Sequence, residues 1–146
     1  MRVEVLAVGP IKRGPWRELL DDYGRRLGHY TRFSERELRD GSDADVEGRF
    51  RKHLDPRGTT VALEVGGETV SSAALAKLLE RAQLSGTASL QFLIGGSYGL
   101  PSTLSQSAHR RLSLGPMTLP HRLARLVLFE QLYRGFTILR GEPYDH

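Results

Sequence analysis

Ten segments of this chain alternate between strand-like and helix-like patterning, and that alternation limits the possible folds more than any other feature. Arg2–Val8 places Val3, Val5 and Ala7 on one face and Leu6 and Val8 on the other, the pattern of a parallel strand buried on both sides. Gly9-Pro10 ends it, and Pro15 opens a helix to about Leu27 whose inward face reads Trp16, Leu19, Leu20, Tyr23 and Leu27. Thr31–Leu38 reads as a second, more exposed strand, Asp40–Asp45 as a mobile polar loop, and Val46–Leu54 as a short charged helix. Thr59–Val65 is a third strand with Gly66-Gly67 as its turn. Ser71 or Ser72 then caps a helix over Ala73–Leu84 that Gly86 stops. Ala88–Ile94 is the most apolar strand and belongs at the centre of the sheet. A short helix from Pro101-Ser102 to His109, a brief strand Arg111–Leu114 and a last helix from Leu119-Pro120 to about Leu139 follow. The pattern predicts one α/β domain over residues 1–146, with a mainly parallel sheet and helices on both faces.

A chain of 146 residues buries a real core without disulfides or metal, and the absence of cysteine removes a disulfide framework, a cysteine zinc site and a thiol nucleophile. No apolar run approaches the roughly 20 residues of a membrane helix. The opening Met1–Val8 is too short and too charged for a signal peptide, so the expectation is a cytoplasmic protein with no membrane partner. Charge is unevenly spread. Residues 1–80 hold 14 basic and 14 acidic side chains, whereas residues 81–141 hold seven arginines against Glu130 alone. That one-sided field favours an anionic partner such as RNA, DNA or a phosphate ligand.

In an open parallel sheet, ligands bind at the C-terminal ends of the strands. Two glycine-bearing loops fall there, Gly95-Gly96-Ser97-Tyr98-Gly99 and Gly115-Pro116. The first lacks the Gly-x-Gly-x-x-Gly spacing, and the acid-free stretch after it offers no carboxylate for a ribose, which disfavours a dinucleotide. There is no P-loop either. His29, His53, His109, His121 and His146 are scattered without paired ligand spacing, so no metal site is expected. His121 stands out by position: the start of the last helix suits a neutral imidazole, which accepts a proton. That helix is apolar nearly all round, from Leu123 through Phe129 and Phe136 to Leu139, which points to burial against a second subunit, with Phe129 and Phe136 as candidate interface positions. Glu130 and Arg134, four apart, are placed to pair. Residue patterns alone stop at a basic α/β domain binding a nucleotide or RNA. An enzyme, a non-catalytic RNA- or ribosome-binding protein and a nucleotide-binding oxidoreductase all stay open.

Three segments narrow this: Phe92-Leu93-Ile94-Gly95-Gly96-Ser97-Tyr98-Gly99-Leu100, then Met117-Thr118-Leu119-Pro120-His121-Arg122-Leu123-Ala124-Arg125, then Glu130-Gln131-Leu132-Tyr133-Arg134. With the opening Val5-Leu6-Ala7-Val8-Gly9 and the ending Pro143-Tyr144, the chain resembles, over its whole length, the RlmH family of SPOUT-class 23S rRNA (pseudouridine-1915) N3-methyltransferases. The resemblance implies a C-terminal trefoil knot, a homodimer, and S-adenosylmethionine held without metal by Leu63, Gly95, Gly96 and the loop Leu114, Gly115, Pro116, Met117, Thr118 and Leu119. It implies a 23S rRNA substrate within the 70S ribosome; a SPOUT enzyme with another RNA target is the alternative within the class. His121, Arg134, Tyr144 and His146 are then the candidates for aligning the base and handling its proton, with Arg122, Arg125 and Arg134 on phosphates. The tail departs from the family, which usually ends in Tyr-His and a basic residue: here Asp145 follows Tyr144, and His146 comes one place later.

Overall fold

The computed structural model describes residues 1–144. In chain order these form β1 (Arg2–Val8), α1 (Pro15–Leu27), β2 (Arg32–Leu38), α2 (Asp43–Arg51), β3 (Thr59–Thr69), α3 (Ser72–Leu84), β4 (Ser89–Ile94), α4 (Ser102–Ser107), β5 (Arg110–Ser113) and α5 (His121–Arg140). The strands make one sheet in the order β2-β1-β4-β3-β5, with every strand pairing parallel. β4 stands at the centre with all its residues buried, as its apolar composition predicts. β2 lies at an edge, which accounts for its charged sequence. Helices cover both faces. Alternate side chains of β1 enter opposite cores: Val3 and Val5 join Leu79, Phe92, Phe129 and Phe136 on the side of α1, α3 and α5, while Leu6 and Val8 join Phe50, Leu93 and Leu104 on the side of α2 and α4.

Several boundaries differ from expectation, each for a local reason. The Asp40–Asp45 stretch is not one loop. Ser42 caps α2 by accepting from the Asp45 N–H at 3.2 Å, and Asp43 and Asp45 in the first turn suit the positive helix end, so the helix starts before Val46. Ser71, not Ser72, caps α3 through the Ala74 N–H. Gly66-Gly67 does not turn the chain; β3 continues through it to Thr69. Leu112 of β5 stands in register with Leu63 and again with Glu68, so the intervening residues are absorbed in an irregularity of the pairing. Gly67 sits there against the Arg111–Leu112 peptide. A Cβ at 67 would lie 2.7 Å from the Leu112 carbonyl carbon, so only glycine allows this approach of two backbones.

On α1, Leu20 and Leu27 are buried and Trp16 and Tyr23 pack at the core margin, but Leu19 is 46% exposed. α5 packs against both α1 and α3. Phe129 and Phe136 therefore fill the protomer's own core, 1% and 2% exposed, which corrects their expected place at a subunit interface. The apolar side chains α5 leaves outside that core include half-buried Leu123 and Val127 and exposed Ile138. No described helix is long and apolar enough to cross a membrane.

Candidate functional site

β4, β3 and β5 are adjacent in the sheet, and the middle of β3 with the loops after β4 and β5 forms a cavity of about 570 Å³, within the range of small-molecule sites. Leu63, Glu64 and Val65 come from β3, Ile94 through Ser97 and Gly99 from the end of β4, and Ser113 through Leu119, Pro116 excepted, from the loop after β5. His121 and Ala124 close it from the first turn of α5. The sequence shapes these loops locally. Gly96 and Gly99 bridge across a tight turn, with Gly99 at φ 83°. Gly115 takes φ 138°, and the Ser113 hydroxyl pins it by accepting from its N–H at 3.1 Å and donating to its carbonyl at 2.9 Å.

Eight of the nine residues expected around the methyl donor line this cavity; Pro116 alone does not. Gly95 has a different steric role from a surface laid against the ligand. A Cβ there would stand 2.2 Å from the Gly99 carbonyl carbon and 2.4 Å from the Leu100 nitrogen, so a side chain would break the 95–100 turn itself. Glu64 is the functional candidate that sequence reading passed over. Its signal was its position, next to Leu63 near the end of the strand expected over Thr59–Val65.

Of the four residues expected to align the base and handle its proton, the three among the described residues do not converge within the protomer. His121 lines the cavity, with Nε2 3.9 Å from where a Gly9 side chain would begin. Arg134 lies 13 residues further along α5, about 20 Å away at 1.5 Å per residue. Its guanidinium is paired with Glu130 at 2.7 Å, a hydrogen bond that raises its pKa, and stands 4.6 Å from the centre of the Tyr144 ring. Tyr144 is docked beside it, 3.2 Å from the Tyr23 hydroxyl and edge-on to Tyr133. Burial, followed by the hydrogen bond with Tyr23, pushes the Tyr144 phenol well up from its usual value. Neither Arg134 nor Tyr144 touches the cavity. His146 lies outside the described residues, as does Asp145.

Of the arginines expected on phosphates, Arg122 is exposed on the first turn of α5, next to His121. Arg134 is 26% exposed within its pair. Arg125 is corrected: it is 1% exposed and faces inward. Its guanidinium donates to Glu35 at 2.9 Å, to Glu37 at 2.5 Å and to the carbonyl of Gly9 at 2.7 Å. Arg17 grips Glu35 from the other side at 2.7 Å. Burial pushes the Glu35 carboxyl above the usual range despite the pull of both arginines. The network ties α5 to the loop after β1 and leaves Arg125 no access to RNA within the protomer.

The cavity fits a methyl donor of the S-adenosylmethionine kind on its own chemistry. Its walls are mostly apolar, and Met117, Thr118 and Leu119 have backbone N–H and C=O groups with no backbone partner among the described residues, so they are free to read a heterocycle edge. No cluster of three metal-ligating side chains occurs among the described residues.

Comparison with known proteins agrees with this geometry. A family model described as "Predicted SPOUT methyltransferase" matches residues 1–146. A protein of Sorangium cellulosum named ribosomal RNA large subunit methyltransferase H is 47% identical over 146 residues, covering all of both chains. One of the same name from Geotalea daltonii is 40% identical over 153 residues, again covering both in full. Among solved structures, a probable methyltransferase of Bordetella pertussis superposes with a TM-score of 0.58 at 11% identity, over 92% of this chain and 95% of that one. A putative methylase family protein of Neisseria gonorrhoeae gives 0.59 at 10% identity, over 99% and 85%. Those two likenesses show the fold alone. On the full-length family match and the relatives' identity, with the cavity where such a fold places it, this chain belongs to the SPOUT methyltransferase family.

Proposed function

We propose that this chain is a homodimeric, S-adenosylmethionine-dependent rRNA methyltransferase that modifies N3 of a pseudouridine, position 1915, in 23S rRNA of the assembled 70S ribosome. The observation that carries the reading is the cavity between the middle of β3 and the loops after β4 and β5, with its unpartnered loop backbone, in a chain 47% identical to a named rRNA large subunit methyltransferase. The C-terminal trefoil knot, the target base, the ribosome and the second copy enter the reading through the resemblance that runs the length of the chain.

Bound in the cavity, S-adenosylmethionine supplies an electrophilic methyl group on a sulfonium. The chain's own residues do the rest. Backbone groups of Met117, Thr118 and Leu119 hold the adenine edge, and Leu63, Ile94 and Leu114 exclude water. His121, on the cavity wall, takes the N3 proton, so that the nitrogen's electron pair is free to form the new bond. Arg134, far along α5, and Tyr144, docked beside it, stand too far off to serve the same protomer's cavity, and they orient the base in the cavity of the second copy. Arg122 contacts phosphate.

Calorimetry with S-adenosylmethionine, followed by mass spectrometry of 23S rRNA from a deletion strain, tests the reading. Heat of binding and loss of one N3-methylpseudouridine are expected. A protein that binds ribosomes without binding the methyl donor is a pure binder; N3-methylpseudouridine retained in the deletion strain moves the target elsewhere.

A further inference from the structure

Among the described residues, Glu64 is the one Asp, Glu, Lys or Arg side chain on the cavity wall. It is half-buried, midway along β3 and just past the residues that pair with β4, where taking a carboxylate out of water without a partner is unfavourable. Yet it makes no hydrogen bond and no ion pair with any described residue, in a chain with 21 basic side chains. The other acids around the core are treated differently: Glu4, Glu35 and Glu37 each have arginine partners. An unpaired carboxylate kept on the wall of an otherwise apolar and backbone-lined cavity is complementary to a ligand with a cationic centre.

From this we infer that Glu64 is a specificity-determining residue that recognises the positive sulfonium of the methyl donor and thereby separates donor from product. The inference rests on the cofactor reading above. S-adenosylmethionine carries a net positive charge, whereas S-adenosylhomocysteine, left after the methyl group departs, is a zwitterion with a neutral thioether. The two differ in little besides that methyl group and its charge, so apolar walls and loop backbone hold both alike. Attraction to Glu64 ends when the sulfonium becomes a thioether, which favours exchange of spent for fresh donor. Glu64 acts on affinity and not on the proton at N3, so it is distinct from His121 in role.

The test is calorimetric titration of the full chain, wild type and Glu64→Gln, with three ligands: S-adenosylmethionine, S-adenosylhomocysteine, and sinefungin, in which a carbon bearing an ammonium group replaces the sulfonium. Attraction between opposite charges at a partly solvated site sets the scale: the two cationic ligands lose about tenfold in affinity, and the neutral product changes by less than about twofold. Glu80→Gln, which removes the same charge from the exposed face of α3, controls for the general field and leaves all three affinities unchanged. Thermal melting of each unliganded variant checks the fold. An equal loss for all three ligands would assign Glu64 to the shared amino-acid or ribose part and overturn the inference, as would no loss at all. Wild-type protein that bound none of the three would overturn the cofactor reading itself.

Discussion

A guanidinium removed from water loses several kcal/mol of solvation and has to recover it from fixed partners. Arg125 does so from Glu35, Glu37 and the carbonyl of Gly9, with only its Nε–H left without an acceptor. Arg125→Met is expected to lower stability by about 2–4 kcal/mol, read as a shifted urea midpoint, because it leaves two part-buried carboxylates to share Arg17 rather than removing a single hydrogen bond. Arg125→Lys should not rescue it, since an ammonium cannot span the same fork of acceptors. An unchanged midpoint would show that the carboxylates find solvent easily. The sequence showed an arginine one turn into a basic helix and suggested phosphate; its acidic partners lie about 90 residues earlier, on an edge strand whose neighbours no local pattern reveals. A second prediction concerns Tyr30, whose hydroxyl donates to Glu142 at 2.6 Å. That hydrogen bond, with burial and the carboxylate's charge, pushes the phenol from 10.0 up to about 12. A proton held more tightly in the folded state gives stability that is full below pH 10 and is lost as pH rises through about 12. Ultraviolet titration of Glu142→Gln should bring this tyrosine back toward its ordinary value.

Element order was readable because alternating apolar periodicity is local information. Every strand and helix expected from the sequence is present, and β4 occupies the centre its composition implied. Strand ends were not readable where a tertiary contact decides them. Gly66-Gly67 has turn composition, but β3 passes through it because Gly67 lets the chain lie on the Arg111–Leu112 peptide. Gly67→Ala is expected to lower stability by about 1–3 kcal/mol, the range for forced overpacking, and to weaken donor binding through displacement of the β5 loop. Equal melting temperatures for wild type and variant would mean that the two backbones separate without cost. In α5 the apolar pattern covered two demands at once. One arc, with Leu128, Phe129, Leu132 and Phe136, fills the protomer's core, and no periodicity within the helix could say which phenylalanine faced outward, because neither does.

At the scale of the whole molecule the candidate site is split: His121 and the donor cavity lie at one end of α5, Arg134 and Tyr144 toward the other. The resemblance supplied the names of these residues but not this separation, which only the length of a straight helix reveals. If the second copy completes each site, His121→Ala protein and protein truncated after Pro143 should each be inactive, while refolding them together should restore about a quarter of the sites, one per mixed dimer. No recovery on mixing would place the whole site within one protomer. Ribosome binding adds a separate test. Arg122→Ala should flatten the dependence of affinity on salt by about one unit for each phosphate the side chain had neutralised, while donor affinity holds. Arg125→Ala should change stability and leave that slope alone.

The strand order also sets a clock. Arg2 of β1 registers with Ser89 of β4, so the two innermost pairings of the sheet cannot both form until most of the chain has been gathered. Closing loops of that length is entropically slow, and folds dominated by such pairings reach the native state in milliseconds to seconds rather than microseconds. The cavity draws on the same gathered strands: Leu63 and Glu64 of β3, the loop after β4 and the loop after β5 all wall it. It can hold a ligand only once these segments, from residue 63 to residue 124, have come together.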